Sequence, residues 1–163
     1  MVDIPYNLSI PLIDQMKIVA RVLIPVVKAM QAELGEERAK EVVRNALDEV
    51  ARRDGQQANT LLKGTPAEKS AAALAIAAAN NALDVEELSR TPEAFEFNVT
   101  GCRYAEFYKQ LREPELGFLF LCGGDWAMAE GLSPDLELTR TQTIMQGAPY
   151  CDFRYRLRTA ASS

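Results

Sequence analysis

Three cysteines and one aspartate, Cys102, Cys122, Cys151 and Asp125, are the residues whose types and spacing fit covalent or acid–base chemistry. A thiolate is a strong nucleophile, and a carboxylate within reach can hold a cation or move a proton. Cys122 and Asp125 lie three apart, so on a helix they face the same way. Cys102 follows Val99-Thr100-Gly101 at an expected strand-to-helix junction, where the helix dipole lowers a thiol pKa and favours thiolate. The bland alternative for Cys102 is a small buried residue at a tight junction. Cys151 follows Gln146-Gly147-Ala148-Pro149, a turn sequence. A buried structural thiol, a metal ligand and a nucleophile all fit it.

The chain contains no histidine. Ser-His-Asp and Cys-His catalysis are therefore excluded, and any chemistry runs on Cys, Asp, Glu, Arg, Lys, Tyr, Ser or Thr. Asp125 sits in a mostly apolar segment, where an unpaired carboxylate is expensive, so Arg140 or Arg154 is its expected partner. Gly123-Gly124, inside what reads as a helix, costs roughly 1 kcal/mol per glycine against alanine and marks a close approach or a distortion. No phosphate loop, dinucleotide fingerprint, paired CxxC or histidine metal motif is present.

The elements that must position these residues read as an α+β fold: N-terminal helices packed on a small antiparallel sheet with a C-terminal hairpin. A helix follows Pro11, with a kink or break expected near Ile24 because Pro25 lies inside the apolar pattern. Leu34-Gly35 stops it, and Glu36-Glu37 starts a second helix that fades near Asp54-Gly55. Thr65-Pro66-Ala67-Glu68 has the form of a capping box for a third, alanine-rich helix running to about Leu83. Its small side chains hint at close packing or a homo-oligomer seam. From Phe95 to Val99 the pattern alternates as a half-buried strand. Arg103 to Arg112 and Glu115 to about Gly131 read as two helices. Leu136 opens a strand running to Met145, with Cys151 to Arg158 as its hairpin partner. On that hairpin Thr141 and Thr143 share one face and Arg140 and Gln142 the other. Cys151, Phe153 and Tyr155 likewise oppose Asp152, Arg154 and Arg156.

The 163 residues fit one domain, helical over 1–90, with the site carried by the strand-helix-helix-hairpin part over 91–158. A net charge of -5 gives no general attraction to nucleic acid or anionic membranes. No apolar run approaches the ~20 residues that span a bilayer. No secretory signal is visible at the N-terminus, and three widely separated cysteines make no disulfide framework, so a cytoplasmic protein with reduced thiols is expected. Thr159 to Ser163 is expected to fray.

FNVTGCRYAEFYKQL (97–111), ELGFLFLCGGDWAMAEGL (115–132) and LTRTQTIMQGAPYCDFRYR (138–156) together resemble the L-2-amino-thiazoline-4-carboxylic acid hydrolase family. The resemblance implies a cofactor-independent hydrolase that opens a small cyclic amidine or thiazoline at a C–N or C–S bond. Its site would comprise Cys122, Cys151 or Cys102 as nucleophile, with Cys122 preferred for its closeness to Asp125. Asp125 would be the amidine-binding acid/base and Arg140 the clamp for a substrate carboxylate, with Thr141, Thr143, Asp152 and Arg154 lining the substrate. Alternatively, Asp125 activates water directly. The same segment is more distantly similar to vinyl-reductase-type and transport-particle-like ligand-binding domains, which commonly carry zinc. Cys122 and Cys151 match two of those zinc ligands. Arg140 and Thr143 replace the other two, and a cation at the first repels zinc, so no metal is expected. A non-catalytic small-molecule sensor that lost its zinc is the second reading.

Overall fold

A computed structural model describes residues 9–158. The expected fraying of the last five residues, and most of the segment on which the N-terminal reading rests, lie outside them. Among the described residues, six α-helices and four strands follow in order: α1 (Leu12–Leu34), α2 (Glu36–Leu61), α3 (Pro66–Ala77), β1 (Leu83–Arg90), β2 (Ala94–Cys102), α4 (Arg103–Gln110), α5 (Pro114–Phe120), α6 (Asp125–Leu132), β3 (Leu136–Thr139) and β4 (Cys151–Leu157). Short 3-10 turns lie at Ala79–Asn81, Cys122–Gly124 and Ile144–Gln146. The sheet is antiparallel with order β1-β2-β4-β3, which makes the fold α+β.

Local chemistry accounts for most boundaries. Gly35 takes φ +81°, a left-handed value that glycine adopts without strain, and separates α1 from α2 where expected. The capping box forms: the Glu68 amide donates to Thr65 Oγ1 at 3.3 Å and the Thr65 amide to Glu68 Oε2 at 2.7 Å.

Five readings need correction. Pro25 does not break α1, which is one helix from Leu12 to Leu34. The amide bond that proline forfeits is outweighed by the face bearing Ala20 and Val27, both fully buried. Gly55 is not a stop either, for α2 continues to Leu61. A Cβ at Gly55 would run into the Met128 carbonyl, and one at Gly131 into the Arg52 carbonyl, so the two glycines let α2 and α6 touch backbone to backbone. Leu83–Arg90 is strand β1 rather than the end of a helical half. Most of it is exposed, so it lacks the alternation that marks a half-buried strand. Finally, the segment from Glu115 to Gly131 is two helices rather than one, and the first strand of the hairpin ends at Thr139 rather than Met145. The break at Cys122–Gly124 is the distortion that Gly123-Gly124 signals.

One face of the sheet is apolar. Phe95, Phe97 and Val99 of β2 and Cys151, Phe153 and Tyr155 of β4 pack toward the helices, with the Phe97 and Phe153 rings stacked at 4.8 Å. α3 brings Ala67 and Ala71 into this core, and α6 brings Ala129 and Leu132 against β3 and β4. The opposite face is polar: Arg156 reaches Glu96, and Arg154 reaches Asn98.

Candidate active site

The break between α5 and α6 is what positions Asp125. Because the chain turns through Cys122–Gly124, Asp125 opens α6 and faces the strand-end residue Arg140. Of the two arginines considered as partner, Arg140 is the one that pairs: its Nη1 donates to Asp125 Oδ2, and its Nη2 donates to the Cys122 carbonyl at 2.9 Å. The Arg140 side chain is 1% exposed and Asp125 31%. Three rings surround the guanidinium, with centroids at 4.5 Å (Trp126), 5.2 Å (Phe153) and 5.8 Å (Phe118). Its Nε–H is buried and has no hydrogen-bond partner among the described residues.

Burial dominates the electrostatics here. It pushes the Asp125 carboxyl up to about 6, although the Arg140 charge and hydrogen bond pull the other way. A carboxyl in that range exchanges protons near neutral pH, as a general acid or base must. Part of the Asp125 side chain remains accessible to solvent.

The three thiols lie in two neighbouring core clusters that share Cys102 and Ile144. Cys102 and Cys122 pack with Ile144 against Ala105, Tyr108 and Met145, while Cys102 and Cys151 pack with Ile144 against Phe97 and Val99. All three are free. The Ile144 amide donates to Cys151 Sγ at 3.2 Å and the Ala105 amide to Cys102 Sγ at 3.4 Å. The expectation of an acidified Cys102 is overturned. Cys102 does cap α4, but burial raises its pKa more than the amides of Ala105 and Tyr104 lower it. Burial also raises Cys151, and raises Cys122 furthest, with the Asp125 charge adding to the effect.

The remaining expected site residues separate into two groups. Thr143 is buried and builds the 3-10 turn, accepting from the Gln146 amide at 3.2 Å and donating to Gln146 Oε1 at 2.9 Å. Thr141, Asp152 and Arg154 do not bond to the Asp125–Arg140 pair. Asp152 accepts from the Thr141 amide at 2.9 Å, the Thr141 hydroxyl at 2.6 Å and the Gln142 amide at 2.9 Å. Arg154 donates to the Phe97 carbonyl at 2.8 Å and to Asn98 at 3.0 Å. Sequence reasoning missed the aromatic wall and Ile144. Trp126 beside Asp125, and Phe118 four residues before Cys122, were the available signals. A separate open groove of about 360 Å³ between α1 and α4, lined by Asp14, Lys17, Arg103 and Glu106 among others, contains none of the three thiols.

No group of three His, Cys, Asp or Glu side chains among the described residues is placed to hold a metal ion. These residues do not suit a zinc ion: Arg140 is a guanidinium paired with Asp125, and Thr143 is committed to its turn.

Comparison with known proteins gives two findings. The family model described as L-2-amino-thiazoline-4-carboxylic acid hydrolase matches residues 15–155. Among solved structures, the phenol-responsive sensory domain of the transcription activator PoxR, with phenol, has a similar fold. That match has a TM-score of 0.54 at 15% identity, covering 83% of this chain and 72% of the other. No curated protein matches by sequence.

Proposed function

The chain belongs to the L-2-amino-thiazoline-4-carboxylic acid hydrolase family, and on that premise we propose that it opens a small cyclic amidine or thiazoline ring by hydrolysis, using Asp125 as the proton-transfer group. The observation that carries this reading is the Asp125 carboxyl itself, raised to about 6, held by buried Arg140, three residues from a thiol. The ionised carboxylate binds the amidinium of the substrate and accepts a proton during attack at the ring carbon. With Cys122 as nucleophile, the S–H proton passes to Asp125 as sulfur bonds to carbon. Asp125 then returns it to the departing ring atom, and water releases the product from the thiol. With water as nucleophile, Asp125 takes the water proton instead. Delivery of the proton within the attacking step suits thiols that burial keeps protonated. The Arg140 guanidinium supplies the positive charge that draws a substrate carboxylate toward Asp125. Cys102 and Cys151 complete the sulfur-lined wall, with Cys151 the second candidate nucleophile. Thr141, Thr143 and Asp152 tie the loop that carries Arg140, while Arg154 bonds across the sheet to β2.

Free thiols fit a reducing, cytoplasmic setting, and the described residues include no helix long and apolar enough to cross a membrane. One specific observation favours the second reading, a small-molecule sensor: the fold is shared with a sensory domain. Assays with 2-aminothiazoline-4-carboxylate, other thiazolines, hydantoins and cyclic amidines separate the two. Turnover lost in Cys122→Ser supports the thiol route, and turnover kept there but lost in Asp125→Asn supports the water route. Binding of these rings without turnover by the wild type supports the sensor.

A further inference from the structure

The outer face of the α1–α2 hairpin leaves an apolar surface uncovered. On α1, Ile18 and Val22 are each 64% exposed, Val26 49% and Val19 47%. Ile18, Val22 and Val26 recur at i, i+4 and i+8, so they form one stripe. Exposed Pro25 and Ala29 border it and allow close approach. On α2, Val42, Ala46 and Val50 repeat the same spacing and are also exposed. The two stripes flank one seam. Leu23 and Met30 of α1 pack with Val43 and Leu47 of α2 beneath it, and Val19 and Val26 lie one turn before the first two. A surface helix of a monomer turns its apolar stripe inward. Here α1 has an inward stripe, at Ile13, Ala20 and Val27, and an outward one as well.

We propose that this face is the interface between two copies of the chain, in which two α1–α2 hairpins pack as a four-helix bundle. Area is the first argument. The exposed aliphatic side chains of the two stripes present roughly 500 Å² of apolar surface, toward the upper end of what a lone monomer shows in one patch and more than half of the ~800 Å² per partner of a standard interface. Geometry is the second. An antiparallel helix pair with apolar stripes on both members is half of a bundle, and a two-fold copy supplies the missing half from the same residues. The flanking charges select a protein partner over a bilayer. They are of mixed sign, with Lys17, Arg21 and Lys28 beside Asp14 and Glu33 on α1, and Glu49 beside Arg38 on α2. A net charge of -5 disfavours anionic lipid as well. The alanine-rich α3, where the sequence hinted at self-association, instead packs Ala67 and Ala71 into the sheet core.

Sedimentation equilibrium over two decades of micromolar concentration tests the proposal. The wild type is expected at about 36 kDa, twice the 18.0 kDa chain. The Ile18→Glu/Val22→Glu variant, altered only at exposed positions, is expected to sediment as a monomer with unchanged circular dichroism. Its association should be weakened about 30-fold or more. A second variant, Val42→Glu, reports on the α2 stripe and should shift the equilibrium in the same direction. A wild type that stays monomeric overturns the proposal, as does a dimer indifferent to all three substitutions. So does monomeric wild type that floats with phosphatidylserine vesicles.

Discussion

Asp125 and Asp152 are the same residue type in adjoining parts of one structure, and they titrate in opposite directions. Asp125 has a full cationic partner, yet its carboxyl is raised to about 6 because burial costs more than Arg140 returns. Asp152 has no arginine bonded to it. Burial is the largest single influence on it and raises it, but the donors from Thr141 and Gln142 together outweigh that and hold it below the usual carboxylate value. Both carboxyls keep part of their surface accessible, so the difference lies in what packs and bonds around each: aromatic rings and one guanidinium at Asp125, three converging donors at Asp152. An ion pair walled by Phe118, Trp126 and Phe153 makes a proton-exchanging group, and a carboxylate near the surface with three donors makes a loop clasp.

The comparison can be broken most decisively through turnover. If Asp125 moves the proton and Asp152 only ties the loop, Asp125→Asn lowers kcat/KM by about 10²–10⁴-fold. Asp152→Asn should keep most of it, and equal losses in the two variants would dissolve the distinction. Next in size, Arg140→Ala should cost about 3–5 kcal/mol in denaturant unfolding, since it strips the buried carboxylate of its partner and empties the aromatic box. The same change removes the influence that lowers the Asp125 pKa. In any variant that stays folded, including Arg140→Met, the acid limb of the rate profile should therefore move above its wild-type position near 6. A limb that stays put would assign it to another group.

Smaller effects sharpen the contrast through pH. Asp125 has a folded pKa above its unfolded one, so its contribution to stability is fully present below about 3.8 and is lost as pH rises through about 6. Asp152 has a depressed folded pKa, so its contribution is present above the unfolded value and lost as pH falls through the folded one. Asp152→Ala should accordingly cost about 1–3 kcal/mol at pH 7 and much less at strongly acid pH, measured by thermal unfolding. Finally, burial keeps the three thiols protonated, so a disulfide reagent should label the native protein slowly at pH 7 and all three sites quickly after unfolding. Fast native labelling of Cys122 would instead mean that the thiolate is preformed.

Legibility followed the range of the interactions. The capping box at Thr65 and the stop at Gly35 are local, and both read correctly from four or five residues. The helix fade at Gly55 and the expected break at Pro25 fail because the deciding contacts are distant: Gly55 exists for Met128, and Pro25 is carried by the burial of α1. Strand β1 escapes sequence reading because a largely exposed strand next to β2 alone has little apolar pattern to show. At the site, residue types were legible and partners less so. Asp125 plainly needed an arginine, but Arg140 and Arg154 were equal candidates until the sheet turned one inward and the other outward.

The absence of histidine, the three thiols, the buried-acid signal at Asp125 and the family pattern over 97–156 were determined by the sequence alone. Tertiary structure decided which arginine pairs with Asp125, that the thiols lie in two adjoining core clusters, and that Cys102 is raised rather than acidified. The reason is physical. Residue identity sets the intrinsic pKa and the kind of chemistry, while desolvation and partner geometry come from segments far apart in the chain, and only the packed fold brings those together.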